Sequence, residues 1–299
     1  MIETAPKRAT PRLRKRRWLT PRAGLAVAAL VAAAAGVGAL RSETPLAALP
    51  HGPVLDRAVA RGVLRVGVRS YPRPAPPEAP TPPEPDSFDA TLAAGLAASL
   101  GVRLELVGLA PYAQAAALRR GDVDVVFAGV PESRELEGVT VAPGDYSPGS
   151  GMVVTLRKGR IQDKAALQGA TVCVGEGSSY ARTVASRYGA VPRRYPSGVH
   201  AVSAFMAGEC AALAEDIEVL DRLLRDEQWR FYRPLITSLE AVDGAGARLQ
   251  EGDAASRDYL SAALRRWESD GTLDRARVAR GGNLRLEIAQ LKDGLVCHS

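Results

Sequence analysis

Short apolar runs alternate with longer segments of helical apolar period from about residue 64 onward. The short runs are rich in β-branched side chains, whereas in the longer segments apolar residues recur every three or four positions. Strands that alternate with helices predict a mostly parallel sheet with helices on both faces. The first set comprises strand Leu64–Val68, helix Ala90–Leu100, strand Arg103–Val107, helix Tyr112–Arg120 and strand Val123–Phe127.

A second alternating set begins with the strand Met152–Leu156 and predicts a second α/β lobe. The last segment, Ala254–Arg277, is predicted to be helical, with Tyr259, Ala263 and Trp267 spaced by four on a core-facing side. The remaining elements of the second set are strands at 171–174, 191–195 and 210–214 and helices at 178–188, 198–207 and 217–225.

The proline-rich stretch 71–85 breaks this alternation. Proline lacks the amide hydrogen that helices and central strands require, so an extended surface loop is predicted. The loop follows the first strand and borders the edge where strand ends meet. Two roles remain open for it, a passive insertion and a polyproline docking site for a partner protein.

The amino terminus indicates the compartment. Residues 1–22 are basic, and residues 23–40 are uncharged and rich in alanine, valine and leucine, so they predict a signal anchor or a signal peptide. Retention as an anchor is favoured, with the basic end in the cytoplasm. Residues 1–41 carry nine Lys/Arg and one Asp/Glu, so the formal +6 minus +8 leaves −2 for the remainder. A nucleic-acid partner is therefore not expected.

Charged residues follow two predicted strands, at the edge where open α/β sheets bind ligands. Arg134 follows the strand Val123–Phe127, and Asp216 follows the strand 210–214. Arginine binds carboxylates through two parallel hydrogen bonds, and aspartate can receive an ammonium group. The pair therefore suggests a zwitterionic ligand. The glycine-containing turn 175–179 precedes a helix and is either an anion site or a simple turn with Ser178 as N-cap.

Several ordered motifs carry a family resemblance. They lie at 61–68, 87–93, 121–129, 167–174, 208–216 and 270–273. Through them the chain resembles a divergent member of the type II periplasmic solute-binding proteins, solute-binding family 3, the polar amino-acid group. The resemblance implies two lobes that close on an amino-acid-like ligand. It implies the binding residues Arg134 for the carboxylate, Asp216 for the amino group, Gly177 and Ser178 at a helix start, Gly129 at the strand end, and Tyr71 and Tyr146 as aromatic walls.

The chain departs from the family pattern after Gly129. Pro131 occupies the place of a usual Thr or Ser, and Arg134 follows Gly129 by five residues instead of seven. These departures, with the run Val126–Pro131, support an alternative, a partner-binding module that accompanies a periplasmic quinoprotein dehydrogenase.

A recruited periplasmic dehydratase is a further alternative. Glu176, Glu215 and Asp216 would be its acids, but no spacing arranges them as a catalytic set, and no nucleophile elbow is present. The interpretation is therefore a binding protein with no catalytic residues.

Three cysteines, Cys173, Cys210 and Cys297, allow one disulfide and a thiol, or none. The family topology makes the strands of Cys173 and Cys210 neighbours, and Cys210 with Cys297 is the competing pair. The scattered histidines and the Cys297–His298 pair do not form a metal site, so neither a metal nor a cofactor is predicted.

The predicted protein is an extracytoplasmic solute-binding protein, periplasmic and anchored in the inner membrane, that serves transport or sensing. Its partners would be a small carboxylate-bearing solute and an ABC transporter permease or another periplasmic protein. The predicted segments are a basic region 1–22, the membrane segment 23–40, a linker 41–56, lobe 1 over 57–150 with 245–299 returning to it, and lobe 2 over 151–244.

Overall fold

The computed structural model describes residues 46–71, 83–110, 112–129, 135–146, 149–241 and 244–296. In chain order the first elements are α1 (Gly52–Arg61), β1 (Val63–Tyr71), β2 (Glu84–Pro85), α2 (Ser87–Leu100), β3 (Arg103–Leu109), α3 (Gln114–Arg120), β4 (Val125–Phe127) and β5 (Val139–Ala142). They are followed by β6 (Gly151–Leu156), β7 (Thr171–Gly175), α4 (Tyr180–Tyr188), β8 (Val191–Tyr195), α5 (Gly198–Met206), β9 (Ala212–Asp216), α6 (Ile217–Leu223), β10 (Tyr232–Leu239), β11 (Ala247–Gln250), α7 (Ala254–Ser269) and α8 (Thr272–Val296).

The first sheet has the strand order β2-β1-β4-β11-β5, with β3 also paired to β1. β1 is parallel to β3 and β4, whereas β11 is antiparallel to β4 and β5. Leu64, Val66 and Val68 alternate along β1 and are fully buried against α2. α2 begins where the Asp86 carboxylate accepts hydrogen bonds from two amides of the first helical turn. This sheet and its helices form the first lobe.

The second sheet has the order β10-β6-β9-β7-β8. β7 is parallel to β8 and β9, and β6 is antiparallel to β9 and β10. β9 is buried at every position, first through the apolar residues Ala212–Ala214 and then through Glu215 and Asp216. This sheet and its helices form the second lobe. Both lobes have the predicted α/β character, with a parallel centre that antiparallel strands complete.

The last helix, α8, belongs to both lobes. Leu273 and Ala276 lie in the core of the first lobe, whereas Ile288 lies in a core of the second. Between them, Gly281 lies against α6, because a methyl group on Gly281 would be 2.8 Å from the carbonyl oxygen of Glu218. α8 therefore connects the two lobes along its length.

The structure differs from the sequence prediction at both ends. α1 begins at Gly52, inside the predicted linker 41–56, because Leu55 and its neighbours pack in the core of the first lobe. The single helix predicted over Ala254–Arg277 consists of two helices. They separate at Gly271, whose φ of +73° ends the first one.

Cys173 and Cys210 form a disulfide with Cα atoms 5.6 Å apart. Of the two pairings that the sequence left open, this is the one in the structure. The bond joins the middle of β7 to the residue two positions before β9. It therefore cross-links the strand that carries Glu215 and Asp216 to its parallel neighbour.

Several predicted features lie outside the described residues. They are the membrane segment 23–40, most of the proline-rich stretch, Arg134 with its loop 130–134, and Cys297. Among the helices that the structure does describe, none combines the length and the apolar character needed to cross a bilayer.

Candidate functional site

A polar cavity lies between the lobes, at the carboxyl ends of β7 and β9 and near the carboxyl end of β1. The first lobe contributes Arg69, and α8 contributes Arg280. Everything else comes from the second lobe. The lining consists of Arg69, Gly175, Glu176, Gly177, Ser178, Ser179, Tyr180, Gly198, Glu215, Asp216 and Arg280. This is the edge at which open α/β sheets bind ligands.

Arg69 is a buried cation that the first lobe contributes to the cavity. Its Nε and Nη2 atoms donate to the two carboxylate oxygens of Asp89, each over 2.8 Å, and its backbone N–H donates to the same carboxylate over 3.1 Å. Asp89 has no exposed surface, and burial raises its pKa to about 6 although the positive charge of Arg69 opposes this. Two parallel hydrogen bonds fix the plane of the guanidinium.

Gly129 and Gly177 approach Arg69 from opposite lobes. A methyl group on Gly129 would lie 2.9 Å from Arg69 Nη1, and one on Gly177 would lie 3.2 Å from Arg69 Cδ. Both glycines have left-handed backbones, with φ of +62° and +73°. The structure thus brings together two predicted site residues around an arginine that the prediction did not include.

Glu215 and Asp216 form the carboxylate wall of the second lobe. The Tyr180 hydroxyl lies 2.8 Å from Asp216 Oδ1 and 2.9 Å from the carbonyl oxygen of Gly149, so its one proton is donated to either acceptor. The Asp216 backbone N–H donates to Glu215 Oε1 over 3.1 Å. Burial raises the pKa of Glu215, and the charge of Arg280 opposes that shift.

Arg280 projects from α8 into the cavity and is buried. Its Nη1 forms an ion pair with Asp216 and lies 3.6 Å from Glu215 Oε1. Its Nε lies 4.0 Å from Asp86 Oδ2, and Asp86 in turn lies 3.5 Å from Arg69 Nη2. One helix therefore places a guanidinium between carboxylates of both lobes.

Six buried charged side chains thus form one connected network across the cavity. They are Arg69, Arg280, Asp86, Asp89, Glu215 and Asp216. Four carboxylates against two guanidinium groups give a formal balance of −2 for this set when all are ionised. The surplus of acids favours the binding of a cation.

Two helix N-termini also line the cavity. Ser178 Oγ accepts a hydrogen bond from the Tyr180 N–H at the start of α4, over 3.2 Å. Gly198 is the first residue of α5 and packs against Gly175. A methyl group on Gly175 would lie 2.8 Å from the backbone nitrogen of Gly198. Amides at a helix N-terminus favour an anion. The lining of the cavity thus combines buried acids with the starts of two helices.

Tyr146, predicted as an aromatic wall, does not line the cavity but lies in the core behind Gly129. It is almost fully buried, and its hydroxyl oxygen accepts hydrogen bonds from the N–H groups of Ala128 and Gly129, each over 3.0 Å. Its ring meets Phe127 edge to face at 5.3 Å. Tyr146 therefore positions Gly129. Tyr71 is the last residue of β1.

Of the residues predicted for the site, Gly177, Ser178 and Asp216 line the cavity and Gly129 lies beside Arg69. The lining also includes Arg69, Tyr180 and Arg280, which the sequence did not predict. The sequence does contain one sign of Arg69. It follows Leu64, Val66 and Val68 on the opposite face of β1, and the acid Asp89 lies in the next helix along the chain. Arg280 had none, since helical period alone does not reveal that α8 passes between two lobes.

Two α/β lobes with a polar cavity at their strand ends define a solute-binding architecture. The family model described as bacterial extracellular solute-binding proteins, family 3, matches residues 64–278, and the chain belongs to this family. The family recognised from the sequence motifs is thereby confirmed. A search of curated protein sequences gives no match.

Solved structures of amino-acid-binding proteins share the fold. A mutant of ArgBP from T. maritima has 20% identity and a TM-score of 0.55, over 75% of this chain and 97% of that one. The amino acid ABC transporter substrate-binding protein AbpA from Streptococcus pneumoniae, bound to L-arginine, has 15% identity and a TM-score of 0.57, over 77% and 98%. The ancestral amino-acid-binding protein AncCDT-1, a precursor of cyclohexadienyl dehydratase, has 21% identity and a TM-score of 0.53, over 74% and 96%. These likenesses confirm the predicted type II fold.

Proposed function

We propose that this protein binds a small amino-acid-like solute between its two lobes, outside the cytoplasm, for transport or sensing. The observation that carries the proposal is the mixed polarity of the cavity, whose lining combines the acids Glu215 and Asp216 with the first residues of two helices. An ammonium group suits the acids, and a carboxylate suits the helix starts. A zwitterion satisfies both.

The residue roles follow from this placement. Asp216 would receive the ammonium group, and the turn at Gly177 and Ser178 would hold the carboxylate. Arg134, five residues beyond Gly129, would complete the carboxylate clamp, and Tyr71 would form an aromatic wall. The structurally similar proteins named above bind arginine or other amino acids according to their names, which supports this class of solute.

A thermal-shift panel of amino acids, dicarboxylates and amines on the full chain in mild detergent tests the proposal. Ligand at about 100 times its Kd stabilises by about 2.7 kcal/mol, or roughly 5–11 °C for a unit of this size. The isosteric Asp216→Asn should remove most of that shift, whereas Asp221→Asn, an exposed acid of α6, should keep it. A panel in which no solute raises the melting temperature would rule out the solute-binding role.

Delivery and tethering belong to the same proposal. Residues 23–40 would hold the protein in the inner membrane, and an ABC transporter permease would receive the solute. Mass spectrometry of the native protein decides the tether. An intact amino terminus in the membrane fraction supports it, and a released form that begins near residue 40 shows a cleaved signal peptide.

A periplasmic dehydratase is the second candidate, and one observation favours it. Glu215 lines the cavity, and burial raises its pKa, which is the direction that a general acid requires. Incubation with prephenate-like acids tests this activity. The control variant is Glu209→Gln, at a partly exposed acid that is paired with Arg193. Turnover that is lost in Glu215→Gln and kept in Glu209→Gln would establish the activity. Absence of turnover in the wild type and in both variants would exclude it.

A further inference from the structure

Among the lining residues of the cavity that the structure describes, Arg280 is the one that lies outside the region matched by the family model. The family match ends at residue 278, and Arg280 lies just beyond it, on a helix that continues to Val296. The side chain is nevertheless buried in the family's ligand crevice, where it lines the same cavity as Ser178 and Asp216. A segment outside the matched region therefore contributes to the site.

The groups around Arg280 are those that would bind a cationic ligand. Asp216, Glu215 and Asp86 lie within ion-pair distance of its guanidinium. Asp216 and Glu215 also line the cavity. A solute ammonium placed at Asp216 would compete directly with Arg280, because the same carboxylate oxygens would have to serve both cations.

Helix packing holds Arg280 in this position. Leu273 and Ala276 anchor the helix in the first lobe and Ile288 anchors it in the second, on either side of Arg280. Gly281 touches the backbone of Glu218. Packing therefore fixes the backbone of Arg280 between the two lobes and keeps its guanidinium beside the acids of the cavity.

The residues that follow Arg280 mark the point at which the helix can bend. Gly281 and Gly282 are adjacent, and glycine pairs are common sites of helix kinks. Close packing explains Gly281, but among the described side chains a methyl group on Gly282 would meet only Arg222 Nη1 at 3.8 Å, an ordinary contact. Gly282 thus lowers helix stability without a steric need.

We propose that Arg280 is an internal cation that determines solute specificity, because a solute must replace its guanidinium at Asp216 and Glu215. This inference rests on the proposed solute-binding function. In the network of six buried charged side chains, carboxylates outnumber guanidinium groups by two, so a dicarboxylate would add negative charge without an ammonium group to balance it. The accepted class is an amine, a guanidine or an amino acid, and dicarboxylates are rejected.

Calorimetric titration of the full chain with L-arginine and with succinate tests this assignment. Arg280→Gln should bind L-arginine about 10-fold more tightly than wild type, a gain of about 1.4 kcal/mol. Arg275→Gln, which removes a charge from the same helix outside the cavity, should bind like wild type. Arg280→Lys retains a cation and should lie between them. Succinate should bind to none of the four proteins.

A second measurement does not depend on any solute. Cysteines that replace the exposed residues Val59 of the first lobe and Val191 of the second carry nitroxide labels, and Cys297→Ser removes the remaining thiol. Pulsed electron resonance then measures the separation of the two lobes. Without solute, Arg280→Gln should broaden and lengthen the distance distribution, and Arg275→Gln should not.

The outcomes separate the two proposals. If panel solutes bind but Arg280→Gln binds L-arginine equally or more weakly, Arg280 is a ligand contact or a structural residue, and the inference fails while the binding function stands. An unchanged distance distribution also overturns it. If no solute binds to wild type or to any variant, both proposals fail.

Discussion

Replacing the two glycines of α8 one at a time should have opposite effects on stability. In Gly282→Ala the new methyl group meets only Arg222 at 3.8 Å, so the helix gains about 0.4–1 kcal/mol from the loss of chain entropy in the unfolded state. In Gly281→Ala the methyl group would lie 2.8 Å from Glu218 O and 3.0 Å from Glu218 C. Backbone atoms cannot swing away, so α8 and α6 must separate.

Overpacking of that kind costs about 1–3 kcal/mol, which exceeds the gain in helix propensity. The two variants should therefore differ by about 1–3 kcal/mol, with Gly282→Ala the more stable. Urea unfolding of the full chain, followed by far-ultraviolet circular dichroism, measures the difference. Each variant is the matched control of the other, because both add one methyl group to the same helix. Equal free energies of unfolding would refute the close contact of α8 with α6.

Three further predictions concern the buried groups around the cavity and the second sheet. The pKa of Asp89 is raised from 3.8 to about 6 on folding, so the folded state binds this proton more tightly than the unfolded state. The contribution of Asp89 to the free energy of unfolding should therefore fall by about 3 kcal/mol as the pH rises from about 4 to 6, and then level off. Asp89→Asn should remove this part of the pH profile in urea unfolding, and parallel profiles would contradict it. Tyr146→Phe leaves the buried N–H groups of Ala128 and Gly129 without their acceptor and should lower the free energy of unfolding by about 1–3 kcal/mol in the same assay; an unchanged value would mean that water replaces the hydroxyl. Replacing Cys173 and Cys210 by alanine opens a loop of sequence separation 37 and should cost about 4 kcal/mol, and dithiothreitol should destabilise the wild type but not this double variant.

The sequence predicted the parallel parts of both sheets because those strands alternate with helices along the chain. Asp216 was predicted because it lies at the point where a strand ends and a helix begins. The strands β5, β10 and β11 were missed because their pairing is antiparallel and distant in sequence. β10, for example, is only partly buried and contains Pro234, so no apolar period marks it.

Arg69 and Arg280 show a different limit. Their roles depend on which carboxylates meet them, and those carboxylates lie 17 to 20 residues away for Arg69 and in both lobes for Arg280. A local pattern indicates that a charge is buried or exposed, but it does not identify the partner. The packing of α2 against β1 supplies that information for Arg69, and the packing of α8 across both lobes supplies it for Arg280.

The position of β11 has a consequence for the order in which the chain folds. β11 lies between β4 and β5 in the first sheet, yet it follows every strand of the second sheet in sequence. The strands of the second sheet form one continuous stretch of the chain, from Gly151 to Leu239, whereas the first sheet closes only after a late strand returns to it, and contacts of long sequence separation form slowly. The amides of β7 and β9 should therefore gain protection in pulse-labelled hydrogen exchange before those of β4 and β11, and simultaneous protection would show that the lobes fold as one. Until β11 docks, the first sheet lacks the strand between β4 and β5, so the lobe that carries the amino terminus is the last to become complete.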